Sequence, residues 1–137
     1  MSSKYQMSVI VAVQQAAPNV GEIFATLKPE QHPEVEFLIC SNEARTTLEK
    51  QLTGQANVRL IYNSKSHLIP LMWRDGILSA QSDRVALTTA HCVPQADWLD
   101  QALKADLDNH VAIGGVIEND ERATPLSWAI YILRYIH

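Results

Sequence analysis

Short β-branched apolar runs alternate with amphipathic stretches from one end of this chain to the other, and that alternation limits the folds open to it. Met7 to Val13 is a near-continuous apolar run that reads as a strand buried on both faces. After it, Asn19 is placed to cap a helix whose apolar positions Val20, Ile23, Phe24 and Leu27 fall on one side, with Pro29 stopping it. Val35 to Cys40 reads as a second strand. Ser41 or Asn42 then caps a helix carrying Ala44, Leu48 and Leu52, which Gly54 ends. Val58 to Ile61 reads as a short third strand, and Pro70 suits the first turn of a helix running to Ala80. A fourth strand is expected over Arg84 to Thr88, followed by a helix with Trp98, Leu99, Ala102 and Leu103 as its buried stripe. Val111 to Ile117 reads as a fifth strand, and Pro125 opens a last helix to the end of the chain.

Strands and helices in strict alternation predict a three-layer α/β/α arrangement with a mostly parallel, Rossmann-like sheet and right-handed crossovers. All strands would then point their carboxyl ends one way. Gln14 and Gln15, Ser41 and Asn42, Asn63 and Ser64, and Thr89 to His91 would gather along a single rim. Ligands bind at such rims.

At 137 residues the chain suits one domain, spanning positions 1–137. A domain near this length buries roughly two-thirds of the surface its unfolded chain exposes. A formal charge of -4, with eleven basic residues scattered singly, speaks against a nucleic-acid surface. No charged-then-apolar leader opens the chain, and its longest apolar stretch falls short of the roughly 20 residues of a membrane span. A cytoplasmic location is the expectation. Cys40 and Cys92 lack CxxC spacing and carry no metal or redox signature.

Several nucleotide motifs are missing. The first strand is not followed by GxGxxG, and no GxxxxGK[ST] occurs anywhere. Other features fall into a recognisable order. Ser8-Val9-Ile10-Val11 leads into Ala12-Val13-Gln14-Gln15; Ser41 and Asn42 end the second strand; Asn63 precedes Arg74-Asp75-Gly76. Cys92-Val93-Pro94 and Trp98-Leu99 follow the fourth strand, and Ile113-Gly114-Gly115-Val116 comes later.

In this order and spacing, from Met7 to about Tyr135, the chain resembles family-2 glycosyltransferases, with the nucleotide-diphospho-sugar transferase type of fold. The resemblance implies a nucleotide-sugar ligand lying across the rim and transfer of the sugar to an acceptor hydroxyl. It also implies donor-binding roles for Gln14, Gln15, Ser41, Asn42, Arg74, Thr89 and His91, with Gly114 and Gly115 on the acceptor side.

The departures from the family pattern lie at its acidic positions. The pair that contacts base or ribose reads Ser41 and Asn42, and the Asp-x-Asp that holds a divalent metal reads Thr89 and His91. Ser and Asn still hydrogen-bond a base or ribose. Thr89 supplies no charge, and imidazole suits softer ions than magnesium or manganese, so a Mn or Mg cofactor is disfavoured. His91 is left as a metal ligand, a direct phosphate contact or a loop histidine bonded to backbone. Arg74 is placed to fork onto a diphosphate, with an exposed helix arginine as the plain reading.

No catalytic base stands on a family motif; Glu118, Asp120 and Glu121 are the carboxylates that follow the Gly-Gly strand. The chain also stops where family members continue, so it is expected to be truncated at its C-terminus relative to them. The last helix, 125–137, is apolar nearly all round and is expected to meet a second copy or a missing part. The family's sheet order would set the second and fourth strands about two spacings apart, roughly 9 to 10 Å, beyond the reach of a Cys40–Cys92 disulfide. Two alternatives to an active transferase follow: a non-catalytic sugar-nucleotide or protein-interaction module of the same fold, and a small α/β interaction domain without a nucleotide.

Overall fold

The structure is a computed structural model, and it describes residues 3–14, 20–42, 52, 54–106, 108–120 and 122–135. The chain divides into two compact units, residues 1–104 and 105–137.

The first unit is built on four parallel strands: β1 (Met7–Val13), β2 (Val35–Ser41), β3 (Val58–Tyr62) and β4 (Val85–Thr89), in the order β3-β2-β1-β4. β1 and β2 pair from Met7 opposite Val35 to Val13 opposite Ser41, and every residue of both is buried. Their near-continuous apolar sequences, broken by Ser8, Glu36 and Ser41, follow from this, since a central strand of a parallel sheet meets helices on both faces.

Alternate residues of β1 feed two cores. Met7, Val9, Val11 and Val13 join Phe37 and Ile39 beneath α1 (Val20–Leu27), which contributes Val20, Ile23 and Leu27. Leu52 packs on the same face. Ile10 and Ala12 join Leu38 and Cys40 on the opposite face, against Met72 and Trp73 of α2 (Ile69–Ser79). These placements satisfy right-handed crossovers: two steps in one direction across the first face, then one reversed step from β3 to β4 across the second. α1 ends at Leu27 because Lys28 takes a left-handed backbone conformation (φ 45°) ahead of Pro29.

A buried carboxylate fastens the carboxyl end of α2 to the sheet. Glu36 is fully buried; Arg59 Nη1 donates to its Oε1 at 2.6 Å, and Ser8 Oγ and the Gln81 N–H donate to its Oε2 at 2.8 and 2.9 Å. Arg59 Nη2 donates in turn to the Ser79 carbonyl at 3.1 Å. Just before β3, Asn57 Nδ2 faces the carbonyls of Pro29, His32 and Val35 at 2.9 to 3.0 Å and holds the approach to β2.

α3 (Trp98–Lys104) follows β4 and lies on the α1 face, with Leu99 buried and Trp98, Ala102 and Leu103 packed beside it, as the apolar stripe predicts. Arg84 caps its end by donating to the carbonyls of Leu103 and Ala102. This return to the first face has a topological consequence. A right-handed crossover through that face would lead back toward β1, a position already filled, so α3 does not hand the sheet another parallel strand beyond β4.

The expected fifth strand is accordingly not formed. Val111 to Ile117 is irregular and exposed in the second unit. Its β-branched residues suit a strand, but propensity acts only where a ladder partner exists, and Gly114-Gly115 weakens it further. The second unit also holds α4 (Pro125–Tyr135), which has no buried residue. Tyr131 packs edge-on to Trp128 at 5.7 Å between ring centres, and its hydroxyl donates to the Ile117 carbonyl at 2.8 Å. Among the described residues no helix is long and apolar enough to cross a membrane.

Candidate functional site

The carboxyl ends of the four strands form one rim, and the strand order reverses between β1 and β4. Gln14 lies half-buried just past β1, while Gln15 lies outside the described residues. Thr89 ends β4 opposite Ala12, and the Ala90 N–H donates to the Ala12 carbonyl at 2.9 Å. The chain then turns, with the Cys92 N–H donating to the Thr89 carbonyl at 3.1 Å, and His91 projects into solvent. Gln14, Thr89 and His91 thus stand at the switch point, where open parallel sheets bind ligands.

A second group stands at the ends of β2 and β3. Ser41 is buried between Val13 and Tyr62, and its carbonyl accepts from the Asn63 N–H at 2.8 Å. Asn42, also buried, donates its side-chain Nδ2 to the His67 carbonyl at 3.3 Å. Asn63 Nδ2 donates to Asp75 Oδ2 at 2.7 Å. His67 Nδ1 lies 3.3 Å from the same Oδ2 without the alignment of a hydrogen bond. Arg74 sends Nε and Nη2 to Asp75 Oδ1 at 2.9 and 2.7 Å. Asp75 is therefore the hub of this corner.

The contacts set its charge. Hydrogen bonding from Arg74, then the Arg74 charge, the Asn63 bond and the nearby His67 hold the Asp75 carboxyl below its ordinary value against a desolvation that opposes them. Burial, with Asp75 adding to it, pushes the Cys40 thiol up to about 12. Gly76, next in α2, lets the helix approach the sheet: a Cβ there would collide with Ile10 Cγ2 and press on Cys40 Sγ.

Arg74 remains at the rim, its side chain 56% exposed, but the fork expected to reach a diphosphate is held by Asp75. The sequence pattern names Asp75 only within Arg74-Asp75-Gly76 and gives His67 no role, because a loop histidine and a helix aspartate eight residues apart form no motif of their own. Only the fold of the β3–α2 connection brings them together.

Gly114 and Gly115 lie in the second unit with open space around both, so no close approach among the described residues demands glycine there. Asp120 accepts from the Arg122 N–H at 2.8 Å and from its guanidinium, which hold its carboxyl below the ordinary value and make it a weaker base. Glu121 lies outside the described residues. Cys40 and Cys92 are free thiols, and β1 does lie between β2 and β4.

Among the described residues, no three His, Cys, Asp or Glu side chains come together where a metal ion would bind. Thr89 and His91 offer a hydroxyl and an exposed imidazole, which do not fit a magnesium or manganese held against a diphosphate. The chain matches no protein-family model, and no curated protein matches it. The fold and rim define a class, an α/β domain with an all-parallel sheet and polar groups gathered at its switch point.

Proposed function

We propose that this chain is a nucleotide-sugar-binding domain of the glycosyltransferase kind, acting in the cytoplasm, with a nucleoside diphosphate lying across the rim. The strand order β3-β2-β1-β4, with its reversal beside Gln14 and Thr89, carries the reading. It supports a nucleotide at the switch point on the general rule for open parallel sheets. The return of α3 to the α1 face also favours this fold over a dinucleotide-binding one, in which parallel strands continue past the fourth.

If the domain is active, sugar passes to an acceptor hydroxyl that loses its proton to a base, and positive groups offset the charge of the leaving diphosphate. Among the described residues, His91 in its protonated form and Arg74, on release of its fork from Asp75, are rim side chains that would supply such charge. A second reading, a non-catalytic module of the same fold, is favoured by the neutral or imidazole side chains at Ser41, Asn42, Thr89 and His91.

Calorimetric titration with UDP-, GDP- and TDP-sugars, with and without manganese, tests both. Metal-independent binding of at least one nucleotide sugar is expected, and turnover to free nucleoside diphosphate then separates enzyme from module. Absence of any binding would leave the small α/β interaction domain as the standing alternative.

A further inference from the structure

A cavity of about 320 Å³ opens at the amino ends of β1, β2 and β3, the end of the sheet away from the rim. Tyr5 lines it from before β1, Pro29, Glu30 and Pro33 from before β2, and Gln55 and Asn57 from before β3. Its volume falls at the small end of the range for ligand pockets.

The three segments are tied to one another by the chain itself. The Gln6 N–H donates to the Glu34 carbonyl at 2.9 Å and joins the first to the second. Asn57, set against the Pro29, His32 and Val35 carbonyls, joins the third to the second, and the Val58 N–H closes the turn by donating to the Gln55 carbonyl at 3.2 Å. The walls are thus preformed.

Their chemistry is mixed. Tyr5, Pro29 and Pro33 offer apolar surface, and Glu30, which is exposed, offers a carboxylate. Gln55 Oε1 is buried and has no hydrogen-bond partner among the described residues. Turning this amide over would bury an unpaired donor in its place, so that end of the side chain is unsatisfied in both orientations. A cation drawn by Glu30 would take the amide as an acceptor. The Tyr5 ring attracts positive charge as well, with Lys4 Nζ 5.0 Å from its centre.

We infer that this cavity binds a guanidinium group. A carboxylate, an aromatic face, two proline rings and an amide oxygen together favour a cation that is planar, weakly hydrated and rich in N–H donors. An ammonium is a strongly hydrated point charge and gains less from apolar walls. The arginine side chain of a partner peptide and a free alkylguanidine share this chemistry. Binding here is independent of the rim and of any nucleotide there.

Titration of the full chain with agmatine, N-acetyl-arginine amide, N-acetyl-lysine amide and N-acetyl-citrulline amide tests it, read from the amide NMR shifts of Gln55 and Ala56. Saturable shifts are expected with both guanidinium compounds, at affinities at least about fivefold above that of the lysine amide, while citrulline, the uncharged isostere of arginine, leaves the shifts unmoved. Glu30→Gln, a surface change that keeps the fold, is expected to weaken N-acetyl-arginine amide by about fivefold or more. Tighter binding of the arginine amide than of agmatine supports a peptide arginine as the occupant, and the reverse order supports a free alkylguanidine. Absence of saturable shifts with both guanidinium compounds, equal affinity for the lysine or citrulline amide, or an affinity that Glu30→Gln preserves would overturn the inference.

Discussion

The Asn63 side chain donates to the Asp75 carboxylate across 2.7 Å, tying the end of β3 to the middle of α2. The same carboxylate receives two bonds from Arg74 and lies 3.3 Å from His67, so one side chain organises three others at the rim.

Asp75→Asn is expected to lower stability in a pH-dependent way. The carboxyl titrates lower in the folded protein than its ordinary 3.8, so it contributes stability above that pH and loses it as pH falls through the folded value. Denaturant midpoints of wild type and variant should therefore differ by a constant amount from pH 7 to about pH 5 and converge below pH 4. A gap that persists unchanged at pH 2.5 would remove Asp75 from this role.

The two thiols should separate cleanly in a labelling experiment. Cys40 is buried, with its thiol pushed up to about 12, whereas Cys92 is partly exposed past β4. At pH 8 the expected result is prompt modification of Cys92 and protection of Cys40 until denaturant is added, because the thiolate is the reacting form. Equal rates for both in the native protein would contradict the burial of Cys40.

Gly76→Ala should destabilise the first unit. The added methyl meets Ile10 Cγ2 and Cys40 Sγ in a packed interface, where overpacking costs about 1–3 kcal/mol. Thermal unfolding of the variant measures it, and an unchanged midpoint would show that α2 is free to shift outward.

Removing Arg59 should cost more. Arg59→Met leaves the fully buried Glu36 carboxylate with only the Ser8 hydroxyl and the Gln81 N–H as donors, and stranding a buried charge costs about 3–5 kcal/mol. Arg59 is 38% exposed, which places the expectation at the lower end of that range. In a double-mutant cycle with Glu36→Gln, the combined loss should be smaller than the sum of the single losses. Additive losses would mean the pair does not interact.

Thr89→Asp combined with His91→Asp restores two carboxylates at the end of β4 and should create manganese affinity measurable by titration. Unchanged metal binding would place the donor diphosphate elsewhere on the rim.

Much of the first unit was legible from local pattern. The apolar run Met7 to Val13 announced a strand covered on both faces, and Trp98, Leu99, Ala102 and Leu103 announced the buried side of α3. Both are consequences of side-chain spacing, which the backbone geometry of strand and helix converts directly into faces. The polar rim was equally legible, because parallel strands oblige the residues that follow them to collect at one end.

Val111 to Ile117 has the composition of a strand and forms none, because a strand exists only through its neighbour and α3 returns to the α1 face. β4 shows the same dependence: Val85 and Leu87 are as apolar as β1 yet stand 38% and 41% exposed at the sheet edge.

By itself the sequence determined which segments are strands in the first unit, which faces they bury and which polar residues end them, since those properties depend on residues close along the chain. Only the tertiary structure decided that Asp75 would receive the Asn63 side chain and lie beside His67. Those contacts join the end of β3 and the connection after it to α2, and their geometry comes from how α2 packs against the sheet.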